Sequence, residues 1–145
     1  MTIWFDMDGT LNRFYEVPNW LAQLQNEDPT PYKIAKPLIN MNILARYLNA
    51  LTKKGYEIGI ISWGSKFSSN EYLKAVTDAK LQWLHQHLRS VKFSKIHITH
   101  YGTNKFETCG EGILFDDEAP NRNTWKGQAF EPKDIFNVLK QLKDR

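Results

Sequence analysis

Only one cysteine, Cys109, occurs among the 145 residues, so no intrachain disulfide can form and the chain reads as a protein of a reducing compartment. Long hydrophobic runs are also missing. No stretch approaches the roughly 20 apolar residues that a membrane helix needs, and the N-terminus has neither the basic nor the apolar region of a signal peptide. The expectation is a cytoplasmic protein with no membrane partner. Lys and Arg form no runs, and a net charge of +3 tolerates an anionic ligand without pointing to nucleic acid. With 41% hydrophobic and 24% charged residues, the composition is that of a folded domain and excludes disorder. The length fits one domain, residues 1–145, with enough chain for a core.

What is abundant is aromatic: five Trp, six Tyr and eight Phe, several of them outside any segment that reads as core. The N-terminus, MTIWFDMDGTLN, is the most informative stretch. Ile3, Trp4 and Phe5 read as a short buried strand. Such a strand has no use for unpaired carboxylates, because burying a charge without a partner is costly. If the extended backbone persists two residues past Phe5, Asp6 and Asp8 point to the same side, and Gly9 then permits a turn that other residues resist. The pattern is a carboxylate pair displayed at the carboxyl end of a strand.

Residues 12–37 follow, irregular, with four of the six prolines, a short helical pattern in NWLAQLQNE, and the aromatics Phe14, Tyr15, Trp20 and Tyr32. A connection this long without regular structure tends to be functional. Residues 40–54 are helical, with Ile43, Leu44, Tyr47, Leu48 and Leu51 on one face, Asn40 as N-cap and Gly55 just past the end. YEIGIIS (56–62) reads as a second buried strand, followed by the turn-rich WGSKFSSN. Residues 71–88 are helical, with Leu73, Val76, Leu84 and Leu88 on one side and a break predicted near Thr77 or Asp78. Residues 95–99 alternate as a strand, GILFDDE is another apolar run ending in carboxylates, and GQAF is a short strand. Pro132 opens a last helix whose inward face is Ile135, Phe136, Leu139 and Leu142.

Continuous apolar strands alternating with helices predict an α/β fold, a Rossmann-like doubly wound parallel sheet with helices on both faces. Ligands bind such sheets at the carboxyl ends of the strands. Asp6, Asp8, Ser62, Asp116 and Asp117 all fall there.

Four pieces therefore stand in order: FDMDGT, IISWGS, Lys105 in YGTNKFE, and ILFDDE. Together they resemble the haloacid dehalogenase-like hydrolase superfamily, whose signature is DxDx[T/V] after a first strand, Ser/Thr after a second, a Lys upstream of a later strand and paired carboxylates after it. The resemblance implies a phosphatase with Asp6 as the nucleophile, passing through an aspartyl-phosphate, and Asp8 as the acid that protonates the leaving alcohol and then activates water. It implies Mg²⁺ held by Asp6, Asp116 and the Met7 backbone carbonyl (the Asp8 carbonyl being the alternative), with Asp117 behind them or acting through water. Ser62 would donate to a phosphate oxygen, with Trp63 and Gly64 beside it, and Lys105 would neutralise the phosphoryl charge. Lys105, eleven residues before Asp116, is preferred over Lys95 and Lys66. Asp8 favours phosphatases over the dehalogenases of the same superfamily.

The resemblance also implies that residues 12–37 occupy the position of a cap, as a minimal lid with Trp20 or Tyr15 as an aromatic face, or else form a long packed loop. Residues 81–117 and the downstream Trp125 resemble most the small deoxyribonucleotidase branch, which implies a nucleoside monophosphate as substrate. The alternatives are a phosphorylated nucleic-acid end, whose bases the aromatics would stack on, and a non-catalytic relative that binds a phosphorylated ligand. His85, His87, His97 and His100 form no recognisable metal set, and Trp83 reads as packing.

Overall fold

The computed structural model describes residues 1–66 and 68–145; Phe67, in the loop read as turn-rich, lies outside the described residues. Five strands, β1 (Thr2–Phe5), β2 (Glu57–Trp63), β3 (Lys95–Thr99), β4 (Ile113–Phe115) and β5 (Ala129–Phe130), form one sheet in the order β3-β2-β1-β4-β5. Every neighbouring pair is parallel. The chain leaves β1 toward β2 and β3, then returns across β1 to β4. The carboxyl end of β1 is thus the switch point at which α/β sheets open a crevice.

Side chains alternate across the sheet as strand geometry requires. Ile3, Phe5, Ile58, Ile60, Ile113 and Phe115 enter the larger core, built with α3 (Met41–Lys53), α4 (Asn70–His87) and α7 (Ile135–Asp144). Trp4, Ile61 and Leu114 face the other way, onto Trp125 and onto Phe106 and Cys109 of α5 (Lys105–Cys109). Helices therefore cover both faces, as the apolar runs predict. No helix among the described residues is long and apolar enough to cross a membrane.

Asn40 caps α3 by accepting from the Ile43 N–H, and Gly55 follows it with φ 101°. Of the predicted inner face, Leu44, Leu48 and Leu51 are buried, whereas Ile43 is exposed at the rim. The predicted break in the next helix is absent. Ser69 caps α4 by accepting from Tyr72, and Thr77 turns its hydroxyl back onto the Leu73 carbonyl at 2.8 Å, so it continues the helix. Pro132 starts a short 3₁₀ turn (Pro132–Asp134), and α7 begins after it with Val138 buried where Phe136 is only half-buried. Two short helices absent from the sequence reading are α5 and α6 (Ala119–Thr124), which flank β4.

Residues 12–37 hold a 3₁₀ turn (Phe14–Glu16), α1 (Trp20–Gln25) and an unforeseen α2 (Thr30–Ile34). The base of this segment is tied shut: Arg13 N–H donates to the Lys36 carbonyl at 2.7 Å and Leu38 N–H to the Leu11 carbonyl at 2.8 Å. Phe14 and Tyr32 pack on Tyr72, Val76 and Ala79 of α4. Trp83 is fully buried and donates its indole N–H to the Ala35 carbonyl at 2.7 Å, so its role is packing.

Candidate active site

Register sets the floor of the site. Phe5 pairs with Phe115, so the residues that follow each of them, Asp6 and Asp116, emerge side by side from adjacent strands. Asp6 N–H donates to the Phe115 carbonyl and Asp116 N–H to the Phe130 carbonyl, fixing both backbones. Beyond Asp6 the chain turns at once. The Met7 carbonyl accepts from the N–H groups of Thr10, Leu11 and Asn12, and Gly9 takes φ 80°. A Cβ at Gly9 would run into the Asp117 carboxylate, so glycine is needed there both for its backbone and for its size.

Lys105, at the start of α5, is buried and donates to Asp116 Oδ2 at 2.6 Å and to Asp6 Oδ1 at 3.2 Å. Asn104 caps that helix by accepting from the Glu107 N–H, which aims Lys105 into the sheet. Neither other candidate lysine makes these contacts: Lys95 pairs loosely with Glu57, and the Lys66 ammonium stands over the Tyr101 ring. Asp116 is held further by Asn121 Nδ2 at 3.2 Å. Asp117 shares Thr10 with Asp6: the Thr10 hydroxyl accepts from Asp117 N–H at 3.1 Å and lies 3.1 Å from Asp6 Oδ2.

Asp6, Asp116 and Asp117 each present an oxygen within 4.8 Å of the others, the one such cluster among the described residues. Asp117 thus shares a group of oxygens with Asp6 and Asp116. The Met7 carbonyl, implied as an ion ligand, is instead spent in the turn; the Asp8 carbonyl is not among the acceptors of that turn.

Asp8 sits beside the cluster, and it lines the same cavity as Asp6. Its Oδ2 accepts from Lys80 at 2.9 Å and its Oδ1 from Asn12 Nδ2 at 3.3 Å. Ser62 is fully buried, with its Oγ accepting from Lys80 at 2.6 Å. Trp63 and Gly64 line the cavity; the Trp63 indole N–H donates to the Thr103 carbonyl and the Gly64 amide to the Thr99 carbonyl.

The carboxylates titrate differently because their surroundings differ. Burial opposes charge on Asp6, but Lys105, a hydrogen bond from Asp117 and Lys80 outweigh it and hold its carboxyl below the usual range. Burial and the adjacent Asp6 push Asp117 up to about 8. Asp116 is raised to about 6 by burial and Asp6, against the pull of Lys105. Burial also raises Asp8, with Lys80 working the other way. Their surroundings thus favour charge on Asp6 over its neighbours and a proton on Asp117.

Were all four aspartates ionised, two lysines would leave them a formal charge of −2, the charge that one divalent cation neutralises. The donors are carboxylate oxygens, the set that a hard cation such as Mg²⁺ takes. The residues present therefore fit that ion.

Above this floor lies a cavity of about 510 Å³. Phe14, Tyr15, Trp20 and Tyr32 of the insertion line it, as do Trp63 and Tyr101. Tyr15 meets Trp20 edge-on at 5.2 Å, and Trp63 leans on Tyr101 at 4.9 Å. Residues 12–37 are thus packed below and line the cavity above.

The sequence reading missed Lys80, Thr10, Asn12 and Asn121. Lys80 carries a signal in hindsight: it stands four residues after Val76 and four before Leu84, inside the apolar stripe of α4. A lysine there calls for a buried anionic partner.

No protein-family model matches the chain, and no curated protein matches it. Solved structures do. The fold is the α/β fold that the haloacid dehalogenase-like resemblance implies. D,D-heptose 1,7-bisphosphate phosphatase from B. bronchiseptica, in a crystal structure with magnesium and phosphate, aligns over 99% of this chain and 98% of its own with a TM-score of 0.59. At 13% identity that likeness is one of fold.

Proposed function

We propose that this chain is a Mg²⁺-dependent phosphomonoester hydrolase. The observation that carries the reading is the convergence of Asp6, Asp8, Asp116 and Lys105 on one cavity at the switch point of the sheet, with Asp117 grouped beside Asp6 and Asp116. The neighbour of like fold is a phosphatase seen with magnesium and phosphate, which agrees with it.

In this reading Asp6, kept ionised, attacks phosphorus, and the bond from phosphorus to the leaving oxygen breaks. Asp8, whose burial favours its neutral form, gives that oxygen a proton. Water then attacks the aspartyl-phosphate while Asp8 takes a proton from it, and the bond from phosphorus to Asp6 breaks to release phosphate. Lys105 uses two donors on Asp6 and Asp116 and keeps a third for a phosphoryl oxygen. Asp6, Asp116 and Asp117, with the Asp8 carbonyl in place of the Met7 carbonyl, would hold Mg²⁺. When bound, the ion supplies positive charge against the phosphoryl oxygens.

The substrate reading follows from the walls. Six aromatic rings lining a cavity within the roughly 300–1,000 Å³ range of small-molecule sites suit a planar leaving group. A nucleoside monophosphate combines such a group with a phosphate monoester. The test is phosphate release, with and without chelator, from nucleoside monophosphates, sugar phosphates, phosphorylated oligonucleotides and p-nitrophenyl phosphate. Mg²⁺-dependent release that is fastest with a nucleoside monophosphate supports the reading. Faster turnover of phosphorylated oligonucleotides overturns the mononucleotide substrate, and silence across the panel overturns the hydrolase. The covalent step is checked with Asp6→Asn, which should abolish turnover and leave no phosphorylated protein after acid quench.

A further inference from the structure

Two lysines are buried beside the aspartates, and they do different things. Lys105 lines the cavity and has a donor to spare. Lys80 is fully buried, does not line the cavity, and has none to spare. Its ammonium has three hydrogens, and three acceptors surround it: Asp8 Oδ2 at 2.9 Å, Ser62 Oγ at 2.6 Å and the Trp63 carbonyl at 2.8 Å. The Tyr32 ring covers it, with its centroid 5.1 Å from the nitrogen.

An ammonium so enclosed cannot reach a substrate. What it does reach is the loop after β1 and the end of β2, and it joins the two through Asp8 and Ser62. With Oδ2 on Lys80 and Oδ1 on Asn12, the Asp8 carboxyl is anchored at both oxygens. Because Ser62 accepts from Lys80, its own hydroxyl hydrogen is left to donate elsewhere. Simple stability would not require this arrangement, since a buried ion pair is often no better than an apolar pair of similar volume.

We propose that Lys80 is a positioning residue for proton transfer, fixing the Asp8 carboxyl at the leaving-group oxygen without touching the substrate. The proposal rests on the phosphohydrolase reading above, in which Asp8 is the general acid. A positioned acid matters most for a leaving group that is a poor one. Lys80→Met should therefore lower kcat for an alkyl phosphate such as a nucleoside monophosphate by about 100-fold, the lower end of general-acid effects. The same variant should lose less than about 10-fold with p-nitrophenyl phosphate, whose leaving group scarcely needs a proton, and KM should stay within about threefold for both.

The experiment measures kcat and KM of wild type, Lys80→Met, Asp8→Asn and the Asp8→Asn/Lys80→Met pair on both esters, with thermal melts of each. The pair removes the Lys80 ammonium and the Asp8 carboxyl together, so neither is left buried without the other, and the melts report whether each variant folds. If Lys80 acts through Asp8, adding Lys80→Met to Asp8→Asn costs no further turnover of p-nitrophenyl phosphate. Equal losses on both esters, a loss carried by KM, or a further tenfold loss in the pair would overturn the role. A wild type that hydrolyses neither ester overturns the phosphohydrolase reading itself, and the role with it. An active wild type with additive variants overturns the role of Lys80 alone.

Discussion

Lys105 Nζ lies 2.6 Å from Asp116 Oδ2, and both groups are buried. That contact joins the start of α5 to the end of β4, and through its second bond at 3.2 Å it reaches Asp6 at the end of β1. One cation thus serves two carboxylates that belong to different strands.

Removing it should be costly twice over. Lys105→Met leaves Asp6 and Asp116 buried without their cation, which is worth about 3–5 kcal/mol in comparable sites. We expect a lower urea midpoint without added metal, partial recovery with Mg²⁺, and turnover reduced by at least about 100-fold. Unchanged urea midpoints would show that the pair adds nothing to stability.

Metal binding should release protons. Asp117 rises to about 8 and Asp116 to about 6, so at pH 6 the metal-free cluster still holds protons that a divalent cation must displace. Mg²⁺ affinity is expected to increase from pH 6 to pH 8 and then to level off. Calorimetric titration in two buffers of different ionisation enthalpy reads the proton release directly; a buffer-independent heat at pH 7 would contradict it.

Stability of the chelated protein should move the opposite way. Asp8, Asp116 and Asp117 have folded-state values raised above the unfolded ones, so the folded state binds protons more tightly and stability falls as pH rises through about 6 and 8. Asp6, lowered, contributes stability above the ordinary carboxylate range and loses it only in acid. Without metal, the melting temperature should be lower at pH 9 than at pH 6. Saturating Mg²⁺ should shrink that difference, and melting curves at both pH values measure it.

Gly9→Ala should damage the site with little change elsewhere. The φ of 80° strains any side chain, and a Cβ there would collide with the Asp117 carboxylate. A loss of about 1–3 kcal/mol is expected, with weaker Mg²⁺ binding as Asp117 is displaced. Urea titration and metal titration check the two parts separately.

The aromatic wall makes a prediction about KM. Trp20→Ala removes a ring that lines the cavity while its neighbours Phe14 and Tyr32 keep the insertion packed. KM for a nucleoside monophosphate should rise by about 5- to 100-fold, the range of one stacking contact, with KM for a small alkyl phosphate unchanged. An unchanged KM for the nucleotide would remove Trp20 from the binding surface.

Local pattern decided more here than composition did. The runs IWF, IGII and ILF are too short and too apolar for anything but buried strands, and each stops at a polar residue that must find a partner. Asp6, Asp8 and Asp116 were legible for that reason, as was the parallel sheet whose strand ends they occupy. Lys105 needed the spacing of a known signature, because nothing in its own neighbours marks it. Thr77 was misread as a break because a hydroxyl that bonds back to its own helix looks, in sequence, like one that caps.

Which groups touch was settled only by tertiary structure. Register between β1 and β4 is a property of the sheet, and it alone brings Asp116 beside Asp6. The turn at Gly9 spends the Met7 carbonyl and brings Asp117 into the carboxylate group, an outcome of hydrogen bonds between residues 107 positions apart. Lys80 gains its partners only when α4 lies against the end of β2. Sequence determined where the charges leave the strands; the third dimension decided which of them meet, because contact between distant segments depends on packing that no local pattern contains.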